Sequence, residues 1–264
     1  MNIQSTGSLP IASRLNDVTA ARDRTLIQLA SGKQTNSASD NPADMLASSA
    51  LDSFVRSLTG QISNKQDEIS LTQTAFGGMS ATNDALTRIN ELSIQASNGT
   101  LTTSDRQAIQ VEIDQLKQQI DQTANNTQYN GQNLLDGTYN ATLSNGNTLK
   151  LGAMNSDTLG LKNLDVTTTG GAQAAIGSTA SALENVNSQR ATLSGVTGGI
   201  ASEISGLTDQ LIDSTASLSR ITDTDMAKAA TDLANAQIQA QATIQVFRID
   251  NASRGQMLQL LGSS

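Results

Sequence analysis

Leu51-Asp-Ser-Phe-Val55-Arg-Ser-Leu58-Thr-Gly-Gln-Ile62-Ser-Asn-Lys65-Gln-Asp-Glu-Ile69-Ser-Leu-Thr72 opens a run whose side chains, taken alternately four and three apart, share one helical face. The same step continues through Phe76, Met79, Asn83, Leu86 and Asn90, and eight of the twelve positions are apolar. This spacing predicts one helix over residues 43–97, on the order of 80 Å long at about 1.5 Å per residue. A seam of that length is stable only when other helices bury it. Gly77-Gly78 weakens the helix midway, by about 1 kcal/mol per glycine relative to alanine.

A second seam answers the first. Leu183, Val186, Arg190, Leu193, Thr197, Ile200, Ile204, Leu207, Leu211, Ser214, Leu218 and Ile221 repeat the four-three step, with nine of twelve positions apolar. Gly195, Gly198 and Gly199 within it read as close packing or a local kink. Between the seams, Asn98-Gly99 ends the first helix. Ser104 or Asp105 caps another helix that carries Ile109, Ile113, Leu116 and Ile120 to about residue 127. Residues 129–171 form a small β-hairpin insert, with strands expected at 139–143 and 148–151 around an Asn145-Gly146 turn.

Outside the seams lie two shorter amphipathic segments. Leu15, Val18, Leu26 and Leu29 stripe the first, and a run of cap and turn residues follows, in which Asp40 or Asn41 precedes Pro42. Thr222, Asp223 or Thr224 caps the last helix, from about 226 to 261, with Leu233, Ile244, Phe247, Leu258 and Leu261 among its apolar residues. These ends have too little neighbouring chain to bury their stripes, so the nine named residues are read as packing against other subunits. The fold class is mainly α: an elongated antiparallel helical bundle or coiled coil, with a small β-hairpin insert and paired N- and C-terminal helices.

Composition narrows the function. The chain has no His, no Cys and no Trp, and aromatics are 2% of it. That removes the commonest general base, thiolate nucleophiles, disulfides and Cys- or His-ligated zinc, so no catalytic residue, metal site or cofactor is assigned. A carboxylate-only hydrolase would need aromatic sugar platforms that this composition does not supply. Asp223 and Asp225 read better as acids that complement the positive end of the last helix than as a catalytic pair. The net charge is −8, but residues 1–30 and 226–264 each carry three cations against two acids, so the acid lies in the middle. An acidic body lacks the basic footprint of nucleic-acid binding. No apolar run reaches the ~20 residues of a membrane span, and residues 1–10 lack a basic n-region with an apolar core, so neither membrane insertion nor a cleaved signal peptide is expected.

Four segments, in order along the chain, resemble bacterial flagellins. Leu29-Ala-Ser-Gly-Lys-Gln-Thr-Asn-Ser-Ala-Ser-Asp-Asn-Pro-Ala43 is similar to the family's N-terminal signature, and Gln128-Tyr-Asn-Gly-Gln-Asn-Leu-Leu-Asp136-Gly to its Phe/Tyr-Asn-Gly segment. Ser219-Arg-Ile-Thr-Asp-Thr-Asp225 resembles the junction before the C-terminal helix, and Gln-Met-Leu-Gln-Leu-Leu261 the terminus. The resemblance implies a structural subunit that polymerises with itself into the flagellar filament for motility. Segments 1–43 and 226–264 would form the inner polymerisation core and 44–225 a rod-like domain, in a minimal form without large outer variable domains. It also implies extracellular localisation through the flagellar type III secretion route, with the export apparatus, hook-associated proteins and cap proteins as partners. The alternative is the hook-filament junction protein, which shares the terminal architecture. Arg88, Glu91, Leu92 and Ile94 lie in a stretch that resembles the segment through which some flagellins engage Toll-like receptor 5, although Asn90 stands where those carry a second Arg.

Overall fold

The computed structural model describes residues 8–262 apart from 145 and 147, with side chains from 12 to 256 apart from the same two. Among the described residues there are five helices: α1 (Ser8–Ser31), α2 (Pro42–Ala96), α3 (Thr103–Asn126), α4 (Thr169–Thr222) and α5 (Met226–Gly262). Two antiparallel hairpins separate α3 from α4. In one, β1 (Gln128–Tyr129) pairs with β2 (Gln132–Asn133); in the other, β3 (Asn140–Thr142) pairs with β4 (Thr148–Lys150), with Ala141 opposite Leu149. The expected hairpin is therefore accompanied by a second, shorter one. Its turn holds Asn130 and Gly131 at φ of 49° and 75°, the left-handed pair that a two-residue hairpin connection requires. Asn145 lies outside the described residues.

The chain divides into two compact units. One takes in Met1–Arg56 and Leu211–Ser264, the other Ser57–Gln210. Both seams are observed: none of the twelve α2 positions from Leu51 to Asn90, nor of the twelve α4 positions from Leu183 to Ile221, is exposed.

In the Ser57–Gln210 unit, the polar residues on the seams fix how the two long helices meet. Asn90 Nδ2 donates to Thr179 Oγ1 at 3.3 Å, Asn83 Nδ2 to Asn187 Oδ1 at 3.0 Å and Thr197 Oγ1 to Thr72 Oγ1 at 3.1 Å, while Lys65 Nζ lies 2.5 Å from Glu203 Oε2. Arg190 completes the series by stacking its guanidinium 4.6 Å from the Phe76 ring centre. As the α2 number falls the α4 number rises, so the pair is antiparallel. A slip of one turn would break every one of these pairings, which is how polar seam positions specify register.

Around the seam, Met79, Leu86, Ile89 and Leu92 of α2 join Ile113 and Ile120 of α3 and Val186 and Leu193 of α4 in a closed core. Leu134, Leu135, Met154 and Leu161 enter it from the segment between α3 and α4. That segment is held along α3 by side chains of α3. Asp121 accepts from Ser156 N at 2.7 Å and from Ser156 Oγ at 2.9 Å, and Gln110 accepts from Val166 N at 2.8 Å while donating to Leu164 O at 3.1 Å.

The glycines behave unlike one another. α2 is continuous through Gly77-Gly78. A Cβ at Gly78 would lie 2.5 Å from Thr127 Oγ1 and 2.6 Å from Leu135 Cδ1, so the bare backbone is what lets this turn of α2 approach the start of the hairpins. Gly77 faces open space, and so do Gly195, Gly198 and Gly199, around which α4 is unbroken; close packing does not explain those three.

Helix ends are closed by local chemistry. α3 is capped by Thr102, not by Ser104 or Asp105: Thr102 Oγ1 accepts from Asp105 N while the Asp105 carboxylate accepts from Thr102 N, a reciprocal capping box. Asn41 caps α2, its Oδ1 accepting from Ala43 N at 3.1 Å and Asp44 N at 3.3 Å. α5 is capped by Asp225, whose Oδ1 accepts from Ala227 N and Lys228 N, each at 3.0 Å, and not by Thr222, Asp223 or Thr224.

Candidate subunit interface

The unit that contains both chain ends is organised by a short strap. α1 stops at Gly32, whose φ of 69° turns the chain out of the helix while its N–H still bonds Gln28 O at 2.9 Å. The next residues meet the link between α4 and α5, about 190 residues away in sequence. Gln34 N donates to Thr222 O at 2.7 Å and Thr224 N to Gly32 O at 2.9 Å, making an antiparallel bridge of Lys33 with Asp223. Both junctions read as turns because their side chains satisfy their own backbone. Asp40 accepts from Ser37 Oγ at 3.0 Å, Ser37 N at 3.0 Å and Asn36 N at 3.2 Å, and these bonds hold its carboxyl below the usual aspartate range. Asp223 is lowered likewise by hydrogen bonds from Ser219 and Thr222. Asp223 and Asp225 thus do separate structural jobs. Among the described residues no three acidic side chains converge as a metal ion would need.

Beyond the strap, α1 and α5 pack against each other. Leu15, Val18 and Leu29 of α1 and Leu233 and Phe247 of α5 are half-buried, whereas Leu26 and Ile244 remain exposed. The side chains of Leu258 and Leu261 lie outside the described residues. Sequence spacing missed the most accessible apolar residues: Ile27, Leu46, Ile212, Ile238, Val246 and Ile249 are all exposed, at 75% for Leu46, 65% for Ile238 and 68% for Ile249. A signal was available. Ile244, Val246, Phe247 and Ile249 at about 100° per residue point all round α5, and a helix apolar on every side is one that more than one neighbour must cover. α1 is one neighbour only.

Charge separates the two units in the same sense. Ser57–Gln210 carries seven cations against fourteen acids, a net −7, and its exposed large apolar residues are Ile94 and Val111. The unit of the chain ends carries nine cations against ten acids and, among the described residues, exposes eleven such residues. A near-neutral apolar surface associates; an acidic polar one is repelled by its copies.

On the outer face of α2, Arg88 is exposed but engaged, 2.8 Å from Glu112 and 3.2 Å from Glu91. Ile94 is exposed and Leu92 is 2% exposed within the core, which takes Leu92 out of any surface contact. Asn90 faces the seam through its bond to Thr179.

Long helices with a surplus of apolar surface confined to one near-neutral unit define a self-associating structural protein. Comparison with known proteins gives this class a name. Residues 6–140 match the bacterial flagellin N-terminal helical region and residues 176–261 the bacterial flagellin C-terminal helical region. Flagellin of Bacillus subtilis (strain 168) is 33% identical, covering 96% of this chain and 97% of that protein. The flagellar filament 31.3 kDa core protein of Treponema maltophilum is 30% identical, covering 91% of this chain and 92% of that one. A solved structure of a putative flagellar hook-associated protein from Vibrio parahaemolyticus superposes with a TM-score of 0.62 over 70% of this chain and all of that one; at 14% identity the likeness is one of fold alone. The chain belongs to the bacterial flagellin family. It is a short form, with only residues 127–168 between α3 and α4, and it is a structural subunit of the flagellar filament. The hook-filament junction alternative has less support, because these sequence relatives are filament proteins.

Proposed function

We propose that polymerisation runs through the terminal helices, with segments 1–43 and 226–264 forming the inner core of the filament and 44–225 standing outside it. The observation that carries this is the exposed apolar surface around α5 and its neighbours, set on the unit without large net charge. In a filament each copy presents one surface to a different surface of the next, a heterologous contact that propagates without closing. Burial of Ile238, Ile249 and their neighbours in that contact supplies the free energy of assembly. The chain reaches the growing filament through the flagellar type III export apparatus, meets the hook-associated proteins at its base and the cap at its tip, and performs no catalysis.

Electron microscopy of seeded protein tests the first part. The intact chain is expected to grow long filaments, and a chain lacking residues 1–43 and 226–264 none. Filaments from the truncated chain would move polymerisation to the other unit.

A receptor contact with Toll-like receptor 5 is proposed for Arg88, Glu91 and Ile94 alone. Arg88 enters it already bridged to Glu91 and Glu112, and Asn90 supplies no second charge there, so the contact has fewer charge-assisted bonds to offer. Monomer is expected to activate reporter cells carrying the receptor, and Arg88→Ala to weaken the response. No response at saturating dose would discard the contact.

A further inference from the structure

We propose that the β3–β4 hairpin is fastened to the helices by one carboxylate, Glu68, and that protonating Glu68 unfastens it while the helices stay folded. Each strand has three residues, and a two-stranded hairpin of that size is marginal without support. Its apolar support is Leu143, Leu149 and Leu151, all buried. Among the described residues its polar support at the tip is Glu68 Oε1, which accepts from Ser144 N at 2.6 Å and Ser144 Oγ at 2.5 Å. The other oxygen of the same carboxylate accepts from Lys65 Nζ at 3.3 Å, and Lys65, with its side chain 5% exposed, also holds Glu203 Oε2 of α4 at 2.5 Å. One buried cation and two acids therefore tie α2, α4 and the hairpin tip together.

The catch depends on charge. An ionised Glu68 accepts bonds at both oxygens; a proton on one oxygen faces the Lys65 ammonium, itself a donor, and a proton on the other can be given only to Ser144 Oγ, at the expense of the bond from the Ser144 N–H. The charged and titratable groups that face it are Lys65 on its own helix, Glu203 across the seam on α4 and Tyr139 at the entry to β3. Burial alone would raise the pKa of Glu68, but hydrogen bonds from Ser144 and Lys65 outweigh it and hold the carboxyl below the usual glutamate range. The stabilisation is therefore present above that range and is lost as pH falls through the depressed value. Burial would discharge Lys65, yet its bonds to Glu203 and Glu68 leave its pKa raised, so it stays cationic throughout the acid opening. Tyr139, raised by burial and by the charge of Glu68, stays neutral there. At the other end of the hairpin, Gly152 N donates to Gln189 Oε1 at 3.1 Å, a bond with no titratable group, so opening starts at the tip.

Amide hydrogen exchange on the full chain, corrected for the intrinsic pH dependence of exchange, tests this between about pH 7 and pH 3. Residues 140–144 and 148–151 are expected to lose about tenfold or more of their protection on acidification, while α3 around Ile113 and Ile120 keeps its own. Glu68→Gln should show the acid level of hairpin protection already at neutral pH and lose the pH dependence. Glu203→Gln should keep the pH dependence, and Ser144→Ala, which removes one of the two bonds at the tip, should give intermediate protection at neutral pH. Hairpin protection that tracks α3 at every pH, or a Glu68→Gln chain that behaves as the unaltered one, would overturn the proposal. Were Glu68→Gln to lose protection in α3 as well, the Ser144→Ala and Glu203→Gln chains would decide it.

Discussion

Ile238→Asp combined with Ile249→Asp is expected to abolish filament growth at protein concentrations where the unaltered chain assembles fully, with no change in the unfolding of the Ser57–Gln210 unit. The reasoning starts from exposure. The two side chains are 65% and 68% accessible in the free chain, so aspartate at either position meets water and costs the monomer about 0.5 kcal/mol or less. Once the terminal helices are covered by other copies, the same positions become desolvated. Losing two buried isoleucines forfeits on the order of 1.5–3 kcal/mol each, and burying an unpaired carboxylate adds to that. Every 1.4 kcal/mol is about tenfold in an association constant, so the critical concentration should rise by at least about a hundredfold. Ile238→Ala with Ile249→Ala, which removes burial without adding charge, should raise it less. Pelleting assays across a concentration series measure both. Normal filaments from the double aspartate chain would mean that this face of α5 stays solvated in the polymer, and the inner-core assignment would fall with it.

How legible each part was follows from where its determinants lie. The seams could be read because Leu51 to Asn90 and Leu183 to Ile221 keep one period for eleven steps, and the polar residues that interrupt them within the Ser57–Gln210 unit are the ones that set register. The Thr102 cap was also written locally, as Thr-x-x-Asp, but Ser104 and Asp105 are good capping types too, and composition alone does not rank them. The β1–β2 hairpin escaped because strands of two residues have no period to detect; Asn130-Gly131 announced a turn and nothing more. The course of residues 151–168 was illegible for a different reason. Met154, Leu159, Leu161, Leu164 and Val166 are irregularly spaced, and the bonds that lay this segment down come from Gln110 and Asp121, dozens of residues upstream. At the candidate interface the spacing method failed in a physically informative way. A search for one stripe finds the residues that face a single partner, Leu15, Val18, Leu29, Leu233 and Phe247, and passes over those distributed round α5, because covering a helix on all sides takes partners that one chain does not contain.

Arg106→Met is expected to destabilise the Ser57–Gln210 unit by about 3–5 kcal/mol, because it removes several hydrogen bonds to a charged group, each contributing about 1.5–3 kcal/mol. Arg106 is 8% exposed, and its guanidinium gathers the end of α2 into the start of α3 and α4. Nε donates to Ala96 O at 3.0 Å, NH1 to Leu101 O at 3.0 Å, and NH2 to Asn98 O at 3.0 Å and to Thr169 Oγ1 at 3.2 Å. Ala96 is the last residue of α2, so the cation sits at the negative end of that helix dipole and takes up carbonyls that no helical N–H can reach. Methionine fills much of the same volume and offers no donor, leaving Ala96 O and Leu101 O to find water at a buried turn and Asn98 O with the N–H of Leu101 alone. Arg106→Lys should recover only part of the loss, because a single ammonium cannot spread across three carbonyls as the planar fork does. Urea unfolding monitored by helical circular dichroism gives the comparison, with a fall in midpoint temperature of about 10 °C as its thermal counterpart. A Met variant within about 1 kcal/mol of the unaltered chain would show that water caps α2 as well as Arg106 does. The turn at 97–101 would then owe its shape to Asn98 itself, whose side-chain oxygen already accepts from Thr100 N and Oγ1 at 3.1 and 3.0 Å.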